Sequence, residues 1–179
     1  MAKTISKNKS VSKIWDITRI SLGFVFLWAF FDKLIGLGFA TCRDANTNTV
    51  NIMCEKAWLS GGSPTLGFLK FGTSGPLADF YQNLAGNTFI DWLFMIGLLG
   101  IGVALVLGIG MRIATISGVA LLLMMYTAVL PPENNPLIDD HIIYALVLVG
   151  LLSVNNNQQI GFGAKWAKYS LVKNYPILK

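Results

Sequence analysis

The sequence predicts an all-α fold: an integral membrane four-helix bundle with a long structured outer loop between the first and second spans. Three observations carry that prediction. Residues 92–111 and 113–130 are charge-free apolar runs separated only by Arg112, and about 18 to 20 apolar residues are what one helix needs to cross a hydrocarbon core of roughly 30 Å. Residues 14–39 and 137–154 are two further apolar segments, with charge near their ends at Asp16, Arg19, Asp32, Lys33, Asp139 and Asp140. Nine basic residues gather in the two ends of the chain and at Arg112. Lipid offers the backbone no hydrogen-bond partner, so each span closes its own bonds as a helix. At 179 residues and 54% hydrophobic content, four spans and their connections occupy one membrane domain, 1–179, with no room for a separate soluble catalytic domain.

Taken in order, the elements start with a lysine-rich tail, 1–13, expected to be mobile. Its Lys3, Lys7, Lys9 and Lys13, together with Arg112 and with Lys165, Lys168, Lys173 and Lys179, fall on one side of a four-span arrangement. The positive-inside rule then places both termini and the Arg112 turn in the cytoplasm of a multi-pass cell-membrane protein. The lipid bilayer is the partner these charges suit. Nucleic acid is not, because the net charge of +5 is not gathered with interleaved aromatics on a soluble face.

The first span, about 14–38, follows a basic leader but is too long for a signal peptide and lacks a small-residue cleavage site, so it is read as retained. Within it Arg19 pairs with Asp16 at i−3 as a structural ion pair and interface anchor. Lys33 lies on nearly the same face about 21 Å further along, where it either reaches the outer headgroups or lines an outer cavity as an anion contact. Asp32 points away from it by about 100°.

The outer lid, about 39–88, is too long to be a mere turn. Its second half is apolar, and Ser74, Gly75 and Pro76 read as a helix start, with Asp79 in the first turn and Gly86 at the end. Cys42 and Cys54, the only cysteines, are read as a structural disulfide around a polar loop. A reactive dithiol and unpaired thiols are the alternatives. Their spacing is poor for a redox pair and unsupported as a metal site.

The second and third spans, about 90–110 and 113–130, are antiparallel neighbours across a very short turn. Gly97, Gly100, Gly102, Gly108, Ala114 and Gly118 either permit close approach or reflect the frequency of glycine in membrane helices. The fourth span, about 138–154, opens at Asp139, Asp140 and His141, the sole histidine. Either the carboxylates simply cap the helix, or His141 relays protons near pH 7 while an aspartate holds its tautomer; Glu133 and Asp91 would share that layer. In the tail, 155–179, Trp166, Tyr169, Leu171 and Tyr175 suggest a helix resting on the inner surface. One histidine and no thiol cluster predict no metal and no haem. Neither a phosphate-binding glycine loop nor a GxSxG elbow is present.

Several stretches together resemble one family. They are Arg19, Gly23 and the Asp32-Lys33-Leu34 exit of the first span, Gly75-Pro76-Leu77-Ala78 in the lid, and Gly108-Ile109-Gly110-Met111-Arg112 closing the second span. Pro131-Pro132-Glu133 then leads into Asp140-His141-Ile142-Ile143-Tyr144. Over roughly residues 16–154 the chain resembles the DoxX/DoxD-like family of small four-span membrane proteins. The resemblance implies a thiosulfate:quinone oxidoreductase-type membrane subunit, in which thiosulfate is oxidised to tetrathionate and electrons pass to a membrane quinone. The family is also linked to thiol redox homeostasis, and its distant relatives act in membrane-protein assembly without redox chemistry. Fold alone does not choose among these.

In the redox reading a quinone substrate enters from lipid into an outer pocket of Trp28, Phe31, Trp58 and Tyr144, with His141, Asp140 and Asp139 exchanging protons. Lys33, Arg43, Lys56 and Lys70 attract the sulfur oxyanion. With no bound electron carrier evident, a second oxidoreductase subunit or direct two-electron transfer is implied. The alternative is a non-catalytic membrane scaffold, assembly factor or lipid-binding module. A transporter, suggested by Arg19 and Lys33 in one span, would need a homo-oligomer to complete a pathway.

Overall fold

The computed structural model describes residues 2–132, 135–154 and 158–179, with side chains described from residue 11 onward. Glu133 therefore lies outside the described residues. The chain is 65% helical with no strand among the described residues, which upholds the all-α class. Its helices are α1 (Ala2–Ile35), α2 (Leu66–Phe71), α3 (Ala78–Gln82), α4 (Thr88–Leu107), α5 (Met111–Ala128), α6 (Asp140–Val154), α7 (Gly163–Trp166) and α8 (Ser170–Asn174). Residues Val11–Ile35 of α1, α4 and α5 are each long and apolar enough to cross a membrane. α6 is equally apolar but has 15 residues, roughly 22 Å at 1.5 Å per residue.

Local chemistry sets the helix ends. No glycine or proline interrupts residues 2–22, so the lysine-rich stretch expected to be mobile is a continuous part of α1. α1 stops at Ile35, short of the expected residue 38, because Gly36 adopts φ +72° and returns its N–H to the Asp32 carbonyl at 2.8 Å. A glycine in the left-handed region satisfies a helix C-terminus without a Cβ penalty. Gly108, at φ +74°, ends α4 in the same way. α5 begins at Met111, which puts Arg112 in its first turn.

The chain divides into two compact units. One, the tail unit, comprises residues 1–25, 100–123 and 140–179; the other, the connection unit, comprises 26–99 and 124–139. α1, α4 and α5 contribute to both.

In the tail unit Leu22, Leu105, Met111, Leu148, Leu151 and Val172 are buried. A Cβ on Gly23 would stand 2.9 Å from Leu105 Cβ, and one on Gly118 would stand 2.7 Å from Leu148 Cδ1. Close approach thus joins α1 to α4 and α5 to α6, the contact type that holds helices together where lipid removes the hydrophobic drive. Gly97 and Gly100 face open space, which fits the second of their two readings, the frequency of glycine in membrane helices, and not close approach. The tail forms α7, α8 and a 3-10 turn, Pro176–Leu178, instead of one helix, with an extended Tyr169 between α7 and α8.

The connection unit has its own core of Leu69, Tyr81 and Ala128, packed by Phe68, Leu84, Ala85 and Ile90. The Tyr81 hydroxyl lies 2.6 Å from Thr127 Oγ1, and Ser74 N–H donates to the Ala128 carbonyl at 2.9 Å. Gly75, at φ +73°, presses so closely on the Leu130 carbonyl that a side chain would collide. Gly75 and Pro76 open a 3-10 turn, Gly75–Leu77, and α3 carries Asp79 in its first turn, but the short helix expected to run to Gly86 ends at Gln82, and Gly86, at φ +78°, lies in the turn that leads to α4.

Candidate functional site

Asp16 and Arg19 lie one turn apart on the buried face of α1 in the tail unit, at 3% and 2% exposure. Their closest charged atoms are 3.7 Å apart, so the expected ion pair forms, but its short bonds go to backbone. Asp16 Oδ2 accepts the N–H groups of Gln159 at 2.6 Å and Ile160 at 2.9 Å. Arg19 Nη2 donates to the Ile160 carbonyl at 2.5 Å, and Nη1 donates to the carbonyls of Leu105 and Val106, the latter at 3.1 Å. Those two carbonyls belong to the last turn of α4, where carbonyls have no intrahelical donor, and a cation there also meets the negative end of the helix dipole. Gly108 and Gly161 make room for the guanidinium, since a Cβ on either would stand 2.9 to 3.0 Å from its nitrogens. Arg19 Nε has no hydrogen-bond partner among the described residues. A cavity of about 10 Å³ lined by Trp15, Asp16, Arg19 and Gln158 adjoins it, the room one water needs.

In the connection unit two carboxylates do comparable work, with no ion pair within 4 Å among the described residues. Asp32, 2% exposed, accepts the N–H groups of Phe39 and Ala40, both at 3.0 Å, one on each oxygen. Asp91, 5% exposed in the first turn of α4, accepts Ser63 Oγ–H at 2.9 Å, Thr65 Oγ1–H at 2.6 Å and Thr65 N–H at 3.2 Å. Sequence reasoning missed both roles. The available signal was an aspartate inside an apolar segment, which once buried must find donors.

Cys42 and Cys54 form a disulfide with Cα atoms 5.7 Å apart. The loop it closes turns on Asp44, whose Oδ1 accepts the N–H groups of Asn46 and Thr47, both at 2.8 Å. Those donors hold the Asp44 carboxyl below its ordinary value. Arg43 donates through Nε to the Gly38 carbonyl and through Nη1 to Asn48 Oδ1 at 2.8 Å, so its guanidinium is built into the loop.

Of the remaining expected site residues, His141, Asp140 and Tyr144 fall in the tail unit, and Asp139, Trp28, Phe31, Lys33 and Trp58 in the connection unit. His141 is 19% exposed and its Nδ1 lies 3.9 Å from Oδ1 of Asp140, itself 72% exposed. That distance is electrostatic contact and not a hydrogen bond. Tyr144 follows one turn along α6, and Asp139 is half-buried. Each expected pocket aromatic of the connection unit has a ring partner: Trp28 meets Phe39 at 5.0 Å, Phe31 meets Phe30 at 5.3 Å and Trp58 meets Trp92 at 4.7 Å, all edge-on. Lys33 is half-buried and interacts electrostatically with the Asp32 carboxylate beside it. Comparison with protein-family models, with curated proteins and with solved structures finds no match to this chain.

Proposed function

We propose that this chain is a multi-pass cell-membrane protein whose four apolar helices form a bundle, and that it serves as the membrane subunit of a quinone-linked oxidoreductase acting on thiosulfate or another small sulfur or thiol donor. Both termini lie in the cytoplasm, on the strength of the lysines in the two tails and Arg112. The connection between α1 and α4 is extracytoplasmic, in keeping with its disulfide.

The observation that carries the redox reading is the part-buried His141 beside the Asp140 carboxylate at the start of apolar α6. A quinone accepts two electrons and two protons on becoming a quinol. Two thiosulfate ions joining as tetrathionate release two electrons and no proton, so a group that passes protons to the quinone is required, and an imidazole has both a donor and an acceptor nitrogen for that task. Electrons come from the donor directly or through a second subunit. The test is a quinone-binding titration on the purified, folded protein, repeated with His141→Ala. Saturable binding that the variant loses supports the proposal; an unsaturable signal in the parent protein, or saturable binding unchanged in the variant, overturns it.

A non-catalytic scaffold, assembly or lipid-binding role is the second reading, and one observation favours it. Asp16, Arg19, Asp32 and Asp91, charged residues buried among the described residues, each hydrogen-bond a connecting segment to a helix. Full retention of cellular phenotype after His141→Ala and Lys33→Ala would select this reading. Loss of activity in a folded variant would reject it.

A further inference from the structure

We propose that residues 158–179 form an interfacial platform that binds anionic phospholipid headgroups, a proposal that rests on the membrane reading above and adds a lipid preference to it. The first support is charge. The segment carries Lys165, Lys168, Lys173 and Lys179 and no Asp or Glu, and the four lysines are exposed. The tail unit holds two carboxylate side chains, Asp16 and Asp140. Asp16 is buried against the backbone of Gln159 and Ile160. Asp140 stands at the far end of α6, about 21 Å along the helix axis from Val154. The exposed side-chain charge of this unit near the segment is therefore of one sign, with no acidic side chain of the unit to neutralise it.

The second support is the mixture of side chains. Phe162, Tyr169, Leu171, Tyr175 and Ile177 are 47 to 63% exposed, an apolar surface interleaved with the lysines, and Lys165 Nζ stands 5.9 Å from the Phe162 ring centre. Short amphipathic helices of this composition lie in the plane of the headgroups, with tyrosine rings apolar at one end and polar at the other. A soluble acidic ligand would not account for the exposed aromatic and aliphatic groups.

The third support is that the segment is held and not merely trailing. Phe162 N–H donates to the Leu107 carbonyl at 2.8 Å, Arg112 N–H donates to the Lys179 carbonyl at 2.9 Å, Trp166 Nε1–H donates to the Leu178 carbonyl at 2.5 Å, and Val172 is fully buried. The lysines are thus presented on a fixed frame beside the turn joining α4 and α5. A preformed frame loses little conformational freedom on binding.

The test reconstitutes the full chain into nanodiscs of phosphatidylcholine with a minor share of phosphatidylglycerol, re-extracts it gently and counts the retained lipids by mass spectrometry. Retained phosphatidylglycerol is expected to exceed its bulk share about fivefold, the effect of one well-placed lysine. The triple variant Lys165→Gln/Lys168→Gln/Lys173→Gln should fall to the bulk share with its helical content unchanged, while the matching triple Lys→Arg variant should keep the preference. Retention at the bulk share by the parent protein, or undiminished preference in the glutamine variant, would overturn the proposal. Enrichment abolished by inorganic phosphate would reassign the surface to a soluble anion and overturn it equally. A chain that does not enter nanodiscs at all would instead remove the membrane reading, and this proposal with it.

Discussion

In the tail unit the buried charge that does most is a cation, Arg19, aimed at the carbonyls of Leu105, Val106 and Ile160. In the connection unit the buried charges, Asp32 and Asp91, are carboxylates aimed at the N–H groups of Phe39, Ala40 and Thr65. The sign of a buried charge thus follows the orphan backbone groups around it. The last turn of a helix leaves carbonyls over, so the end of α4 takes an arginine. A chain turning back against the exit of α1 or the start of α4 presents N–H groups, so those places take aspartates. At Ile160 both kinds of orphan occur on one residue, and there the chain supplies both charges, Asp16 for the N–H and Arg19 for the carbonyl.

The largest effect is expected of Arg19→Met. It leaves Asp16 buried without its cation and the α4 carbonyls without donors, and a loss of about 3 to 5 kcal/mol is expected, read by chemical unfolding of the detergent-solubilised protein. Asp16→Asn/Arg19→Met should cost less than Arg19→Met alone; a double variant that is worse would show that the carboxylate does not depend on the arginine. Asp32→Ala, which strips two charge-assisted bonds, is expected to cost about 3 kcal/mol. Asp32→Asn keeps one accepting oxygen and should cost about half as much. Equal losses in the two would mean that charge, not acceptor geometry, secures the 36–41 segment.

Smaller effects separate the covalent from the polar ties of the connection unit. Cys42→Ser/Cys54→Ser should lower stability by about 2 to 3 kcal/mol through the freed loop entropy, and reductant should reproduce that loss in the parent protein while leaving the double variant unmoved. Tyr81→Phe removes one hydroxyl bond to Thr127 and is expected to cost about 1 kcal/mol.

Smallest is the contribution of Asp44, visible only as a pH dependence. Its folded-state carboxyl titrates below the ordinary 3.8 because Thr47 and Asn46 donate to it. The unfolded chain therefore binds the proton first as pH falls, and the stability from Asp44 is complete above about pH 4 and lost as pH drops through the lower, folded value. Melting curves of the parent protein and Asp44→Asn should converge in that acid range. Parallel curves down to the lowest pH would contradict this assignment.

The long helices were legible because their signals are local. Charge-free length marks α4 and α5, the i−3 spacing marks the Asp16–Arg19 pair, and Gly75-Pro76 marks the start of the short helix in the connection. The end of α1 shows where local signals stop being sufficient. Gly36 and Gly38 both adopt positive φ, and the sequence offered the later residue as the end. The Asp32 carboxylate closes on Phe39 and Ala40, and that requires the helix to have ended already at Ile35. Asp91 and its partners Ser63 and Thr65 are 26 to 28 residues apart, and Asp16 and its partners Gln159 and Ile160 are 143 to 144 apart. No periodicity connects residues at such separations.

By itself the sequence determined that this chain is helical, where its apolar helices lie and which of them carry charge, because helix formation and burial in lipid depend on runs of neighbouring residues. Only the tertiary structure decided what those charges do. A buried aspartate announces that it needs donors, but which N–H groups reach it depends on how a distant segment folds back, and that is settled by the closure of the whole chain.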